Sequence, residues 1–160
     1  MKVSDLLKEL EESDYYKKFK VEYSDSFFSA GFFILDLDNK SETLQLDFFL
    51  PKEQKVAAFE FPWNIPKIHK DDIKTMDPQS LENLNFDIDD LERKATESIT
   101  KNNSKLKPTK IIAVLKSNEW NLTCMDNTLG IIRIKFNALT GAETYFNSDS
   151  LMNLVRTEKK

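Results

Sequence analysis

Residues 110–146 impose the strongest constraint on what this chain can become. They contain Lys110-Ile-Ile-Ala-Val-Leu115, Trp120-Asn-Leu-Thr-Cys124 and Ile131-Ile-Arg-Ile-Lys-Phe-Asn137, three short runs rich in β-branched and aromatic side chains. Such side chains suit a pleated, half-buried surface. Turn chemistry separates the runs: Lys116-Ser-Asn-Glu119, Asp126-Asn-Thr-Leu-Gly130 and the stretch 137–141. Connections this short cannot hold the helical crossover that parallel strands need, so the runs predict an antiparallel meander. In the last run Ile132, Ile134 and Phe136 face one way, and Arg133 and Lys135 the other. Tyr145 and Phe146 open a further strand.

A helix precedes the meander. Ile88, Leu91, Ala95 and Ile99 are spaced to give one apolar face, with Glu92, Arg93, Lys94 and Glu97 opposite. Asp87 or Asp89 caps its start, and Asn102-Asn103 and Pro108 end it.

The same order of elements occurs earlier. Val3, Leu6, Leu7 and Leu10 make a helical stripe. A second helical turn over 13–18 follows, and Tyr15, Tyr16 and Phe19 bring the chain onto a sheet. The run 27–36 is apolar on both faces, as a central strand or one covered twice is, and Gly31 within it marks a bulge or a close backbone approach. Asp36 to Glu42 form a hairpin turn. Leu44, Leu46, Phe48 and Leu50 alternate with Gln45, Asp47 and Phe49, as in a half-buried strand, and 56–61 is a third strand stopped by Pro62.

The predicted fold class is therefore α+β, built from two similar helix plus antiparallel three-stranded sheet units (αβββ-αβββ). The first unit spans 1–61 and the second 81–160. A proline-bearing connection over 62–80 holds Pro62, Pro66 and Pro78, with a short helix near 71–76. Leu151, Met152, Leu154 and Val155 predict a short C-terminal helix. One helix on three strands buries too little apolar surface alone, so the two units are expected to share a core or a continuous sheet.

Composition narrows the function classes. The chain has 160 residues, 40% hydrophobic and 31% charged, and a net charge of −4. That charge gives no general preference for nucleic acid. Lys101, Lys105, Lys107, Lys110 and Lys116 form one basic stretch, but no aromatic lies among them, and Arg93 and Arg133 lie elsewhere. Nucleic-acid recognition would combine such a stripe with aromatics or arginines. The stretch reads instead as a solvated loop and a protected sheet edge. No apolar run is long enough for a membrane span. The charged N-terminus lacks an apolar signal core, so a cytoplasmic location is expected.

Chemistry-bearing residues are sparse. His69 stands alone in the polar connection, and Cys124 sits in an apolar strand where core packing is expected. One His and one Cys cannot build a structural zinc site. Asp36 to Asn39 and Asp87 to Asp90 lack the glycine and distal glutamate of a calcium loop and read as a hairpin turn and a helix cap. Glycine occurs only at 31, 130 and 141, which excludes a phosphate-binding loop. No catalytic, cofactor-binding or metal-binding residue is assigned, and no enzyme is expected. The most suggestive residues are Phe59, Phe61 and Trp63, alternating with Glu60 and Pro62 at a strand end. They either staple the connection onto the sheet or offer an aromatic anchor to a partner.

The motifs Trp120-Asn-Leu-Thr, Gly130-Ile-Ile-Arg-Ile-Lys-Phe and Asn137-Ala-Leu-Thr-Gly-Ala142 resemble those of a PepSY module. The resemblance covers residues 81–142. Members close their last strand with Asp-Ala-x-Thr-Gly; here Asn137 stands for the Asp, while Ala138, Thr140 and Gly141 match. The turn has a local reason: the Asn side chain accepts from nearby amides, and Gly supplies positive φ. The resemblance implies a cystatin-like helix on a three-stranded sheet and a role in binding or restraining other proteins. The leading expectation is a non-catalytic interaction or regulatory module, with a protein partner or self-association. The alternative is a small-molecule binder with an apolar pocket between helix and sheet. An enzyme would need Asp47 or Glu60 buried as a working carboxylate.

Overall fold

A computed structural model describes residues 1–70 and 76–150. Strand β1 (Phe27–Asp36) is its axis, paired antiparallel on one side with β2 (Ser41–Leu50) and on the other with β5 (Lys110–Lys116). Apolar residues on both faces of 27–36 predicted this central place. From β2 the sheet continues through β3 (Lys55–Glu60) to β4 (Lys67–Lys70). From β5 it continues through β6 (Glu119–Met125) and β7 (Gly130–Asn137) to β8 (Glu143–Ser150). The order is β4-β3-β2-β1-β5-β6-β7-β8, two meanders joined at their first strands. Among the described residues three helices accompany the sheet: α1 (Val3–Glu11), α2 (Asp14–Glu22) and α3 (Leu91–Lys101), the last entered through a 3₁₀ turn at Ile88–Asp90.

The predicted αβββ-αβββ fold class is thus overturned: the chain forms one eight-stranded antiparallel sheet, not two three-stranded units. Register across β1 and β5 explains the fusion, because Phe33 lies opposite Ala113 and Leu35 opposite Ile111 on the helix-covered face. Each half also holds a fourth strand. β4 escaped because Lys67-Ile-His-Lys has no apolar alternation and all four residues are exposed. The helical turn expected over 13–18 is α2, which Ser13 caps by accepting from the Tyr16 amide at 3.2 Å and which extends through Phe19 to Glu22. The helix expected near 71–76 falls largely on 71–75, and the one at 151–155 on 151–160, both outside the described residues.

The three helices share one core with one face of the sheet. Val3, Leu6, Leu10, Phe19, Leu91, Ala95 and Ile99 join Phe33, Leu46, Phe59, Ile111, Leu122 and Ile134 in a single buried cluster. Local expectations hold inside this frame. Asp87 caps the 3₁₀ turn, its carboxylate accepting from Ile88 N–H at 2.8 Å. Asn137 Oδ1 accepts from Leu139 and Thr140 N–H at 2.9 and 3.0 Å, and Gly141 sits at φ +77°. A methyl at Gly31 would collide with the Phe33 ring, so that glycine permits a close approach, with a register shift just before it at Phe28/Ala30.

Candidate functional site

The register of β4 decides what its end of the sheet presents. Ile68 lies opposite Ala57 and Lys70 opposite Lys55, so all four point to the helix-covered face. His69 and Lys67, opposite Val56 and Ala58, point to the other. On the helix-covered face α2 lays Tyr16 and Phe19 onto β2 and β3. Phe19 meets Phe59 edge-on at 5.1 Å and Phe48 at 5.9 Å, and Tyr16 lies 5.5 Å from Phe48. A nine-residue helix seated there stops short of β4.

What remains is a groove of about 310 Å³ between α2 and β4. Tyr15, Phe19 and Tyr23 form one wall, and Ile65, Pro66 and Ile68 the other, with Lys18 and Glu22 on the rim. Large apolar side chains stay bare here: Ile65 is 76% exposed, Tyr15 43% and Ile68 40%. Desolvation and then the nearby Glu22 carboxylate push the Tyr23 phenol up. Along the same face Lys55 and Lys70 are directly opposed in register, and no carboxylate of the described residues pairs with either. The nearest ion pair on β4 joins Lys67 to Glu60 at 3.9 Å.

The three aromatic residues singled out from sequence separate. Phe59 is fully buried in the core. Phe61 is 43% exposed and packs edge-on against Trp63 at 5.4 Å. Trp63 is half-buried against the core, and its indole nitrogen has no hydrogen-bond partner among the described residues. The connection is therefore stapled by Trp63, and the bare surface beyond it belongs to Ile65, Ile68 and Tyr15. Sequence reading missed these residues because Ile65 and Ile68 stand singly in a polar, proline-bearing stretch. The signal that was present is their apolar character in a segment otherwise expected to be solvated.

The other sequence candidates are not brought together. His69 is exposed on β4. Cys124 is fully buried, and burial pushes its thiol up to about 12. Glu60 is exposed, and Asp47 is half-buried beside Gln45, whose amide donates to it at 2.8 Å. Among the described residues no three His, Cys, Asp or Glu side chains gather where a metal ion could be held. No helix of the described residues is long and apolar enough to cross a membrane. The basic stretch does not guard an edge as expected: Lys110 and Lys116 end β5, which has a neighbour on each side. Wider concavities flank α3, but they are lined by Glu92, Thr96, Thr100 and charges of both signs, not by convergent groups.

No protein-family model and no curated protein sequence matches the chain. The fold has a counterpart among solved structures. A "putative lipoprotein" from Clostridium difficile 630 superposes with a TM-score of 0.52 over 85% of this chain and 91% of its own, at 11% identity. At that identity the likeness speaks for the fold alone.

Proposed function

We propose that the chain is a non-catalytic interaction module that engages a protein partner at the groove between α2 and β4. The observation that carries this reading is the cluster of bare Tyr15, Ile65 and Ile68 around a concavity beside a sheet edge. Grouped large apolar side chains of this kind mark interaction sites. Aromatic anchors beside a pocket are what interface energetics favour. The PepSY-like strands and turn of residues 81–142 belong to the same reading, since modules of that kind are proposed to bind or restrain other proteins.

The test uses 8-anilinonaphthalene-1-sulfonate, a probe of exposed apolar concavities, on the full chain. The native protein is expected to enhance its fluorescence, with amide NMR shifts confined to residues around Tyr15, Tyr23 and Ile68. Ile68→Glu is expected to abolish the enhancement at an unchanged urea midpoint, because the residue is half-exposed. A native protein that leaves the probe dark sinks the reading. The volume of about 310 Å³ also favours a second reading, a small apolar ligand, because it sits at the lower end of ligand-pocket sizes. Saturable binding of free indole at this groove, without binding of any peptide, would select that alternative.

A further inference from the structure

The groove runs beside β4, the edge strand among the described residues, and the residues along that edge carry a pattern a ligand can complete. This inference rests on the interaction reading above and specifies its partner. We propose that the partner is an extended peptide segment that adds antiparallel to β4 as a ninth strand and carries the motif Asp/Glu-x-(Phe/Leu/Ile).

Three observations lead there. Among the described residues β4 ends the sheet, so the N–H and C=O groups on its far side have no described strand to pair with. Strand addition to such an edge supplies main-chain hydrogen bonds, and pockets for alternate side chains supply selectivity. On the helix-covered face β4 offers one apolar position, Ile68, and two residues later one cationic position, Lys70. An incoming strand points every second side chain to that face, so its residue opposite Ile68 enters the groove between Tyr15, Phe19 and Tyr23. Its residue opposite Lys70 reaches the place where Lys55 and Lys70 are paired in register, with no carboxylate of the described residues bridged to either. Like charges directly opposed across strands are destabilising, and a ligand carboxylate there relieves the repulsion. Antiparallel direction places the acid two residues before the apolar side chain. Lys67 and His69 project to the other face and leave the intervening residue unconstrained.

The experiment titrates ¹⁵N-labelled full chain with the peptide acetyl-Thr-Glu-Thr-Phe-Thr-amide and three relatives: Lys for Glu, Ser for Phe, and one N-methylated at the amides that would face β4. The parent peptide is expected to shift the amides of residues 67–70 together with those lining the groove. Lys for Glu is expected to weaken binding about fivefold. N-methylation is expected to weaken it about tenfold through lost main-chain hydrogen bonds. The chain variant Lys55→Glu/Lys70→Glu, altered only at the two opposed lysines, is expected to prefer the Lys peptide. Equal binding of the Glu and Lys peptides overturns the motif. Failure of all peptides while the naphthalene probe still reports the groove overturns strand addition; the interaction reading then falls only if free indole binds there saturably. Failure of both overturns both.

Discussion

The two halves of the sheet are built over aromatic clusters of similar make-up, yet one is sealed and the other runs out to solvent. In the second half Phe86 stacks on Trp120 at 6.0 Å and meets Phe136 edge-on at 5.4 Å, and all three are buried. Lys94 of α3 closes the top, its ammonium 5.0 Å from the Phe86 ring and 5.1 Å from that of Phe136. The same ammonium donates to the Gly141 carbonyl at 3.4 Å. In the first half Phe19, Phe48 and Phe59 pack as closely, but the series continues outward through Tyr23, 5.2 Å from Phe19, and stops at an open groove. The difference lies outside the helices. The segment before α3 supplies Phe86 as a lid and ties itself down through Asn85 N–H to the Ala138 carbonyl at 2.8 Å. No equivalent segment of the described chain lies across α2 and β4. An aromatic cluster closes where flanking chain covers it; amphipathic helices alone leave the sheet margin bare.

That contrast can be broken by experiment. The largest effect is expected at the sealed cluster: Trp120→Ala should cost about 3–5 kcal/mol in urea unfolding, the range for large aromatic truncations in a core. A loss under about 1 kcal/mol would mean the cluster is not the closed one described. In the first half Phe59→Ala should cost about 3–5 kcal/mol, whereas Phe61→Ala, at a half-exposed ring, should cost under about 1 kcal/mol. Equal costs would erase the division between buried and bare aromatics. Gly141→Ala should cost about 1–3 kcal/mol, since its φ of +77° strains any L side chain and a methyl would meet Asn85. The loss should fall on the second half, seen as faster amide exchange in β7 and β8.

The smallest effect concerns acid. The side-chain amide of Asn39, then its backbone N–H, hold the Asp36 carboxyl below the ordinary 3.8. At Asp126 desolvation pushes upward, but hydrogen bonds from Gly130 N–H and from Thr128 outweigh it and hold that carboxyl low as well. Both folded-state values lie below the unfolded one. Their contribution is therefore complete above pH 3.8 and is lost as the pH falls through the folded values. A modest fall in urea midpoint confined to that acid window is expected, with Asp36→Asn removing the first-half share and Asp126→Asn the second-half share. A midpoint that falls between pH 7 and 5 would point to other groups.

Much of the fold was legible because patterning is local. The apolar stripe of Val3, Leu6 and Leu10, the two-faced run 27–36 and the turn at Asn137 all carry their reason within a few residues. β4 carried none: its four residues alternate nothing and become a strand only because β3 offers them an edge. The core role of Phe59 and the exposure of Phe61 were equally hidden, since adjacent odd-numbered aromatics look alike until Pro62 ends the strand between them.

Sequence alone determined that this chain would make antiparallel strands with amphipathic helices, because side-chain periodicity and turn residues act over short distances. Only the tertiary structure decided that the two meanders meet at β1 and β5 in one sheet, and that α2 falls short of β4. Those outcomes depend on which strand edges pair and how far a short helix reaches, and neither is encoded in any single stretch of the chain.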